Sequence, residues 1–355
     1  MNKRTWIEVD LDNISYNYEL IKRKANGAMI CPVIKDDAYG HGAVKLGLLY
    51  EKLGCDYFAV SCFDEAMELR KGGITKPILI LGYTQIEYAK DLHDNNITQC
   101  VYSLDYANAL NDCGQVIKCH LKVDTGMNRI GFKDVDEMEY AYNLPNLQFE
   151  GIFTHFAKAT DEQFTQKQFD TLMNAIDELH KRNCDFKIRH CANSAGIFLY
   201  DKYTLDMVRP GIILYGLGGY SGLKPAMKLK SVISEIKTVK KGETIGYERN
   251  YTATKDIKVA TVAIGYGDGF FRANSGKNKV CINNTNCDIV GNICMDQMMV
   301  DVSDVDCKLF DEVNCYIDFE QCATNLGTIS YELICAIDSR VKVNYLTFYT
   351  NYHKS

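Results

Sequence analysis

A TIM-like (β/α)8 barrel followed by a mostly β domain is the fold that this sequence predicts, and three observations predict it. Apolar runs of strand length alternate with amphipathic stretches over the first ~215 residues, a length that suits eight β/α units. The strands read as continuous apolar runs, as in a parallel sheet covered by helices. After residue 217 the pattern changes to short β-type runs separated by turn clusters such as NNTN and YGDG. A doubly wound open sheet is the alternative arrangement for the first part.

In chain order, residues 3–10 alternate Trp6 and Glu8 against Ile7 and Val9 and read as a strand. Asp12 or Asn13 can cap a helix carrying Ile14, Tyr18 and Ile21, which ends near Gly27. The barrel strands are expected at 29–34, 57–61, 77–81, 99–102, 117–123, 148–154, 186–190 and 205–208. The clearest helix is 161–182, with Phe169, Leu172, Met173, Ile176 and Leu179 on one face. Beyond the glycine-rich stretch GLGGYSGLKP, β-type runs fall at 230–239, 257–264, 280–282, 287–290 and 297–302. The expected domains are therefore 11–217 and 218–355, with residues 1–10 adding a strand to the second.

Composition narrows the class. Hydrophobic content of 46% with 24% charged residues is globular. A net charge of −6 supplies no basic patch for nucleic acid, no apolar run approaches the length of a membrane span, and the N-terminus has no signal-peptide core. The cysteine count of 15 is odd and includes no CxxC pair. With Cys62, Cys119, Cys281 and Cys294 in apolar strands, these read as reduced, mostly buried thiols of a cytoplasmic protein, with no metal site.

The polar groups cluster at strand ends. In CPVIKDDAYGHG an apolar strand stops at Lys35 and a glycine-rich turn follows, with Tyr39 four residues on. A lysine shielded from water there loses basicity and becomes a nucleophile or base. Lys122, Asp124 and Arg129 follow the fifth strand, His155 the sixth, His190, Asn193 and Ser194 the seventh, and Arg209 the eighth. In a barrel all of these open on the C-terminal face, where active sites sit. NSAG can begin a helix and RPGI presents the Gly211 and Ile212 amides, an arrangement that suits a phosphate. Each residue taken singly also has a plainer reading: a surface lysine, a satisfied core histidine, a helix cap.

The chain resembles the alanine racemases over nearly its full length. The motifs that carry the resemblance are WIEVDLD, IKDDAYGHG, LKVDTGMNRIGF, THFA, NSAG, VRPGIILYG, GETIGY, AIGYGDG, GNICMDQ and SYELICAIDSRV, in order and at family spacing. The resemblance implies a pyridoxal 5′-phosphate (PLP) enzyme interconverting L- and D-alanine by two-base proton transfer, with D-alanine going to peptidoglycan. It makes Lys35 the lysine that holds the cofactor covalently. Tyr39, Ser194, Gly211, Ile212 and Tyr331 match phosphate ligands, with Asn193 beside them. Arg209 matches the arginine at the pyridine nitrogen, and His155 the histidine beside it. Arg129 matches the arginine near the substrate carboxylate, and Lys122 a lysine often carbamylated in the family. Tyr247 matches the second acid/base, and Met295 and Asp296 match residues near the substrate. These last three imply a head-to-tail homodimer whose active sites are shared.

The chain departs from the family pattern at Asp36 and Asp37 (usually Ala-Asn), Thr160 (often Asp), Asn292 (often Arg) and in RVKV after Ser339 (usually RVPR). These positions bear on substrate access. Two other functions stay open at this point. One is a serine racemase of the vancomycin-resistance type, which such enzymes' asparagine at the position of Tyr331 argues against. The other is another PLP enzyme of the same architecture, such as a decarboxylase. A PLP-binding regulatory protein would lack the second domain.

Overall fold

The computed structural model describes residues 4–347. The chain forms two compact units: one joins the residues up to Ile14 with those from Tyr215 onward, and the other runs from Ser15 to Leu214.

The Ser15–Leu214 unit is the barrel. Counting β1 as Thr5–Asp10 of the other unit, its strands are β2 (Met29–Ile30), β3 (Phe58–Val60), β4 (Ile78–Ile80), β5 (Ile97–Val101), β6 (Ile117–Lys122), β7 (Leu147–Phe153), β8 (Ile188–His190) and β9 (Met207–Val208). β3 to β8 pair in parallel and in sequence order, and β2 pairs with β9. The ring closes where Val33 bridges to Ala59 and where the Asp206 and Arg209 amides donate to Arg189 and Ala192. This fixes the barrel rather than the open sheet. Most strand residues are buried and apolar, as a sheet covered on both faces requires, and Thr98, Gln99, His120, Lys122 and His190 are its buried polar members.

Three local details differ from the sequence expectation. The first barrel strand is shorter than 29–34, because Pro32 has no amide hydrogen to continue the ladder. The path nevertheless continues, since the Val33 and Ile34 amides donate to Pro210 and Ala59. The helix Leu11–Lys24 is capped by Asp10, whose carboxylate accepts from the Asp12 and Asn13 amides, not by either of those residues. In the helix Glu162–Lys181 the fully buried line is Thr165, Gln168, Leu172, Ala175 and Leu179. That face is rotated relative to the apolar stripe because Gln168 is needed inside, where it donates to Thr125 Oγ1 and the His155 carbonyl. Among the cysteines, Cys62 stands at the start of the helix Phe63–Lys71 and Cys294 in a loop, outside any strand.

The other unit is mostly β. β10 (Met227–Val239) is its long central strand, followed by β11 (Thr244–Ile245), β12 (Tyr251–Thr252), β13 (Ile257–Val262), β14 (Lys279–Ile282), β15 (Thr285–Asp288), β16 (Met298–Asp301), β17 (Glu312–Asn314) and β18 (Lys342–Leu346). β1 lies between β10, antiparallel, and β18, parallel, so the first and last strands of the described residues share one sheet. The short β11–β12 hairpin packs on a separate apolar cluster that includes Val239, Ile257, Val259 and Val290. Two short helices, Phe319–Leu326 and Ser330–Cys335, were not anticipated by the β pattern.

Candidate active site

The segment after Lys35 is a left-handed turn. Asp36, Asp37, Ala38 and Tyr39 have φ of 54°, 48°, 54° and 56°, so Lys35 opens a reversed helical turn rather than simply ending a strand. For L-residues this costs ~1–2 kcal/mol each. The surroundings hold it in place. The Asp36 amide donates to Glu65 Oε1 (2.6 Å), and Glu65 Oε2 accepts from the Ser61 amide and hydroxyl. Asp37 Oδ1 accepts from the Ala43 amide (2.6 Å) at the start of the next helix. Buried His41 places Nδ1 between the Ala38 and Tyr39 carbonyls; these only accept, so that nitrogen carries the proton. Burial lowers the His41 pKa to about 4. Of the two aspartates that depart from the family pattern, Asp37 thus holds the turn with its carboxylate, and Asp36 takes part through its backbone amide.

Tyr39 reaches the loop after β9. A Cβ at Gly211 would stand 2.8 Å from Tyr39 Oη and 3.7 Å from Ser194 Oγ, so a side chain here would displace the tyrosine hydroxyl. The Gly211 amide donates to Ser194 Oγ (2.9 Å), and buried Ile212 begins a 3-10 turn. Asn193 caps the helix Ser194–Leu199 by accepting from the Gly196 amide, and its own amide donates to the Phe156 carbonyl. Two hydroxyls and the amides of two chain turns thus meet in one small cradle, a donor set suited to a phosphate.

Arg209 is buried and its guanidinium sets the protonation of what lies beneath it. It donates to His190 Nδ1 (2.6 Å) and to the Thr154 carbonyl (2.8 Å). A guanidinium only donates, so the His190 proton sits on Nε2 and is given to His120 Nδ1 (2.8 Å). The His120 proton is then on Nε2, which faces Glu150 Oε1 at 3.8 Å. Burial, then the Arg209 charge, holds the His190 pKa well below its ordinary value, so this histidine is neutral. Burial alone dominates the lowering at His120. Glu150 also accepts from Tyr57 (2.7 Å). Its orientation comes from a β-bulge: Cys119 pairs with Phe149 and His120 with Gly151, leaving Glu150 as the extra residue. Gly151 is required there, because a Cβ would lie 2.6 Å from the His120 ring.

The remaining barrel residues gather around the same point. Lys122 is buried, donates to the Val123 carbonyl (2.8 Å), and has a pKa lowered to about 8 by burial, with Arg209 and Arg129 adding to the effect. His155 is half-buried; burial and then the charges of Arg209, Arg129, Lys122 and Lys35 hold its pKa far below the ordinary value. Lys35, Lys122, Arg129, His155 and Arg209 are therefore within one electrostatic neighbourhood, with the histidine as its neutral member. Sequence reasoning singled out these residues but missed His120 and Glu150. The available signal was the two-residue strand period, which puts His120 on the same side of β6 as Lys122.

In the β unit, Tyr247 is 68% exposed and Met295 54% exposed. Asp296 accepts from Arg340 (2.9 Å), which also donates to buried Asp268, as does Arg4. Tyr331 lies on the helix Ser330–Cys335, and burial, with Tyr220 and Glu320, pushes its pKa up to about 12. Among the described residues, no helix is long and apolar enough to cross a membrane.

Comparison with known proteins converges on one family. The family profile described as alanine racemase, N-terminal domain, matches residues 9–218, and that described as alanine racemase, C-terminal domain, matches residues 226–345. The chain is similar to the alanine racemase of Clostridium tetani, 40% identical over 96% of this chain and 95% of the relative. It is likewise similar to that of Methanococcus maripaludis, 38% identical over 96% and 98%. Among solved structures it resembles an alanine racemase of Clostridium difficile 630, with a TM-score of 0.93, 42% identity and 98% and 97% coverage. It also resembles one from Bacillus anthracis with bound L-Ala-P, with a TM-score of 0.92, 33% identity and 98% and 96% coverage.

Proposed function

Because the chain belongs to the alanine racemase family, we propose that it interconverts L- and D-alanine with PLP held at the mouth of its barrel and furnishes D-alanine for peptidoglycan. The observation that carries the cofactor assignment is the cradle of Tyr39, Ser194 and Gly211, where a Cβ would crowd the Tyr39 hydroxyl, set in the same unit as buried Arg209 and its neutral histidine partner. Tyr39, Ser194 and the Gly211 and Ile212 amides would hold the phosphate, Lys35 would hold the cofactor covalently, and Tyr331 would add a further phosphate hydroxyl. The cofactor would supply the electron delocalisation that makes the α-proton of an amino acid removable, which no side chain could do.

The protein's own groups do the rest. Arg209 is paired with neutral His190 and not with a carboxylate, so it would present a fixed positive charge to the ring nitrogen and disfavour a proton there. Lys35 and Tyr247 serve as acid/base on opposite faces, Lys35 for the D-enantiomer and Tyr247 for the L-enantiomer. Arg129 would receive the substrate carboxylate. Lys122, with its pKa near 8, has enough neutral amine to add carbon dioxide, forming a carbamate and releasing a proton; the new carboxylate would orient Arg129. Tyr247, Met295 and Asp296 would reach the site of a partner in a head-to-tail dimer, a reading supported by the exposure of Tyr247 and Met295.

Racemisation of L- and D-alanine by the PLP-loaded protein tests this directly, together with borohydride fixation of the cofactor to a Lys35 peptide. A colourless protein that gains no visible absorbance with PLP would refute it. A serine racemase is the alternative. A tyrosine at 331 leaves room for a methyl but crowds a hydroxymethyl, and such pockets discriminate weakly, so we expect a ~10–100-fold preference for alanine. Tyr331→Asn should narrow that ratio, and a phosphate-only role for Tyr331 would leave it unchanged.

A further inference from the structure

We infer that Asn292 is a positioning residue for Tyr247, holding the segment that carries this acid/base in its working conformation. The inference rests on the proposed racemisation and adds to it a residue where the chain departs from its family pattern.

The segment needs holding. Tyr247 is followed by Glu248 and Arg249 with φ of 63° and 53°, and is preceded by Gly246 at φ of 76°. Two successive non-glycine residues in the left-handed region are costly, and an exposed tyrosine supplies little packing to fix them.

Asn292 meets this need with every polar atom of its side chain. Its Nδ2 donates to the Tyr247 carbonyl (3.0 Å) and to Glu248 Oε2 (3.2 Å). Its Oδ1 accepts from Asn250 Nδ2 (2.8 Å). The orientation of the amide is not arbitrary: a carbonyl and a carboxylate only accept, so both must face the NH2 end. Two of the three contacts, at Tyr247 and Asn250, flank the two left-handed residues, and the third is to Glu248 itself. Asn292 is buried, at 8% exposure, so water competes poorly for these bonds. The backbones are also close. A Cβ at Gly246 would lie 3.0 Å from the Asn292 nitrogen and 3.3 Å from its carbonyl oxygen, which explains the glycine there. Glu248 is held from its other side by Arg272 at 3.5 Å. An asparagine thus does here what a longer side chain at 292 would do differently: it acts on the backbone of the acid/base itself.

The test uses the PLP-loaded enzyme with two variants. Asn292→Ala removes all three bonds. Asn292→Asp keeps the volume but sets a carboxylate against the Tyr247 carbonyl and the Glu248 carboxylate. Two quantities are measured: α-hydrogen exchange into D2O from each alanine enantiomer, and amide hydrogen exchange of residues 246–250. Misplacing an acid/base by about an ångström costs up to ~100-fold, so exchange from L-alanine should fall ~10–100-fold in both variants while exchange from D-alanine, served by Lys35, stays within ~3-fold. Amide exchange should quicken at 246–250 and stay unchanged in the β14–β15 hairpin. Equal losses for the two enantiomers, or unaltered amide exchange at 246–250, would overturn the inference. A wild-type enzyme exchanging neither enantiomer would refute the proposed racemisation instead, and the amide exchange would still decide whether Asn292 holds the segment.

Discussion

A methyl group at position 211 would occupy the cradle from within. Its carbon would lie 2.8 Å from Tyr39 Oη, so either the tyrosine or the loop after β9 must shift. Gly211→Ala should therefore fold, because the intruded space belongs to a ligand site and to the end of one side chain, but bind PLP at least ~10-fold more weakly, about the cost of one good hydrogen bond. Titration of the visible absorbance with PLP measures this. Lys122 gives a second residue-scale prediction. Its pKa is about 8 in the fold and 10.5 as the ordinary value, so between these pH values the unfolded chain binds the extra proton. Stability contributed at this position must then rise with pH across that window. Below pH 8 the lysine is charged in both states and its burial is a standing cost. Lys122→Met should raise stability most near neutral pH and lose that advantage towards pH 10, as read from the difference in denaturant midpoints between the two proteins.

At the scale of elements, the bulge in β7 and the turn after Lys35 are where regular structure gives way to function. The bulge directs Glu150 towards Tyr57 and His120, and the chain of His120 and His190 ends at Arg209. Gly151→Ala would drive a carbon to within 2.6 Å of the His120 ring; overpacking of this kind costs ~1–3 kcal/mol, which denaturant unfolding would detect. Glu150 also carries a pH signature. Burial opposes its charge, but His120 and Tyr57 more than offset that and hold its pKa at about 2. A lowered carboxylate pKa stabilises above the ordinary carboxylate range and loses that contribution as pH falls towards 2. Wild type should therefore exceed Glu150→Gln in stability at neutral pH, and the gap should close between about pH 4.5 and pH 2. A gap that stays constant through that range would show that the carboxylate is not charged in the fold.

At the scale of the molecule, Lys35 and Tyr247 belong to different compact units, and the dimer reading places them on different chains within each working site. Mixing Lys35→Ala with Tyr247→Phe and allowing subunits to exchange should restore activity, because a mixed dimer contains one site with both groups intact. Random pairing gives roughly a quarter of the sites of wild type. Activity that stays at the level of the separate variants would mean that each site draws both groups from one chain.

What the sequence determined by itself is what depends on neighbours in the chain. The apolar runs of β2 to β9 and the polar residues at their ends follow from the sequence pattern, so the barrel and the positions of Lys35, Lys122, His155 and Arg209 along the chain were legible. Tertiary structure decided what depends on groups far apart in sequence. His120 meets His190 across 70 residues, and Asn292 meets Tyr247 across 45. The left-handed turn at Asp36–Tyr39 was also hidden, because nothing in the local preference of Asp, Asp, Ala and Tyr calls for it; Glu65, 29 residues from Asp36, helps to hold it. The rotated face of Glu162–Lys181 has the same origin, since Gln168 is buried only because Thr125 and the His155 carbonyl wait there as acceptors. Periodicity reports which side of an element meets the core, and only the fold brings together the polar partners that make burial of a charge, a strained turn or an amide affordable in free energy.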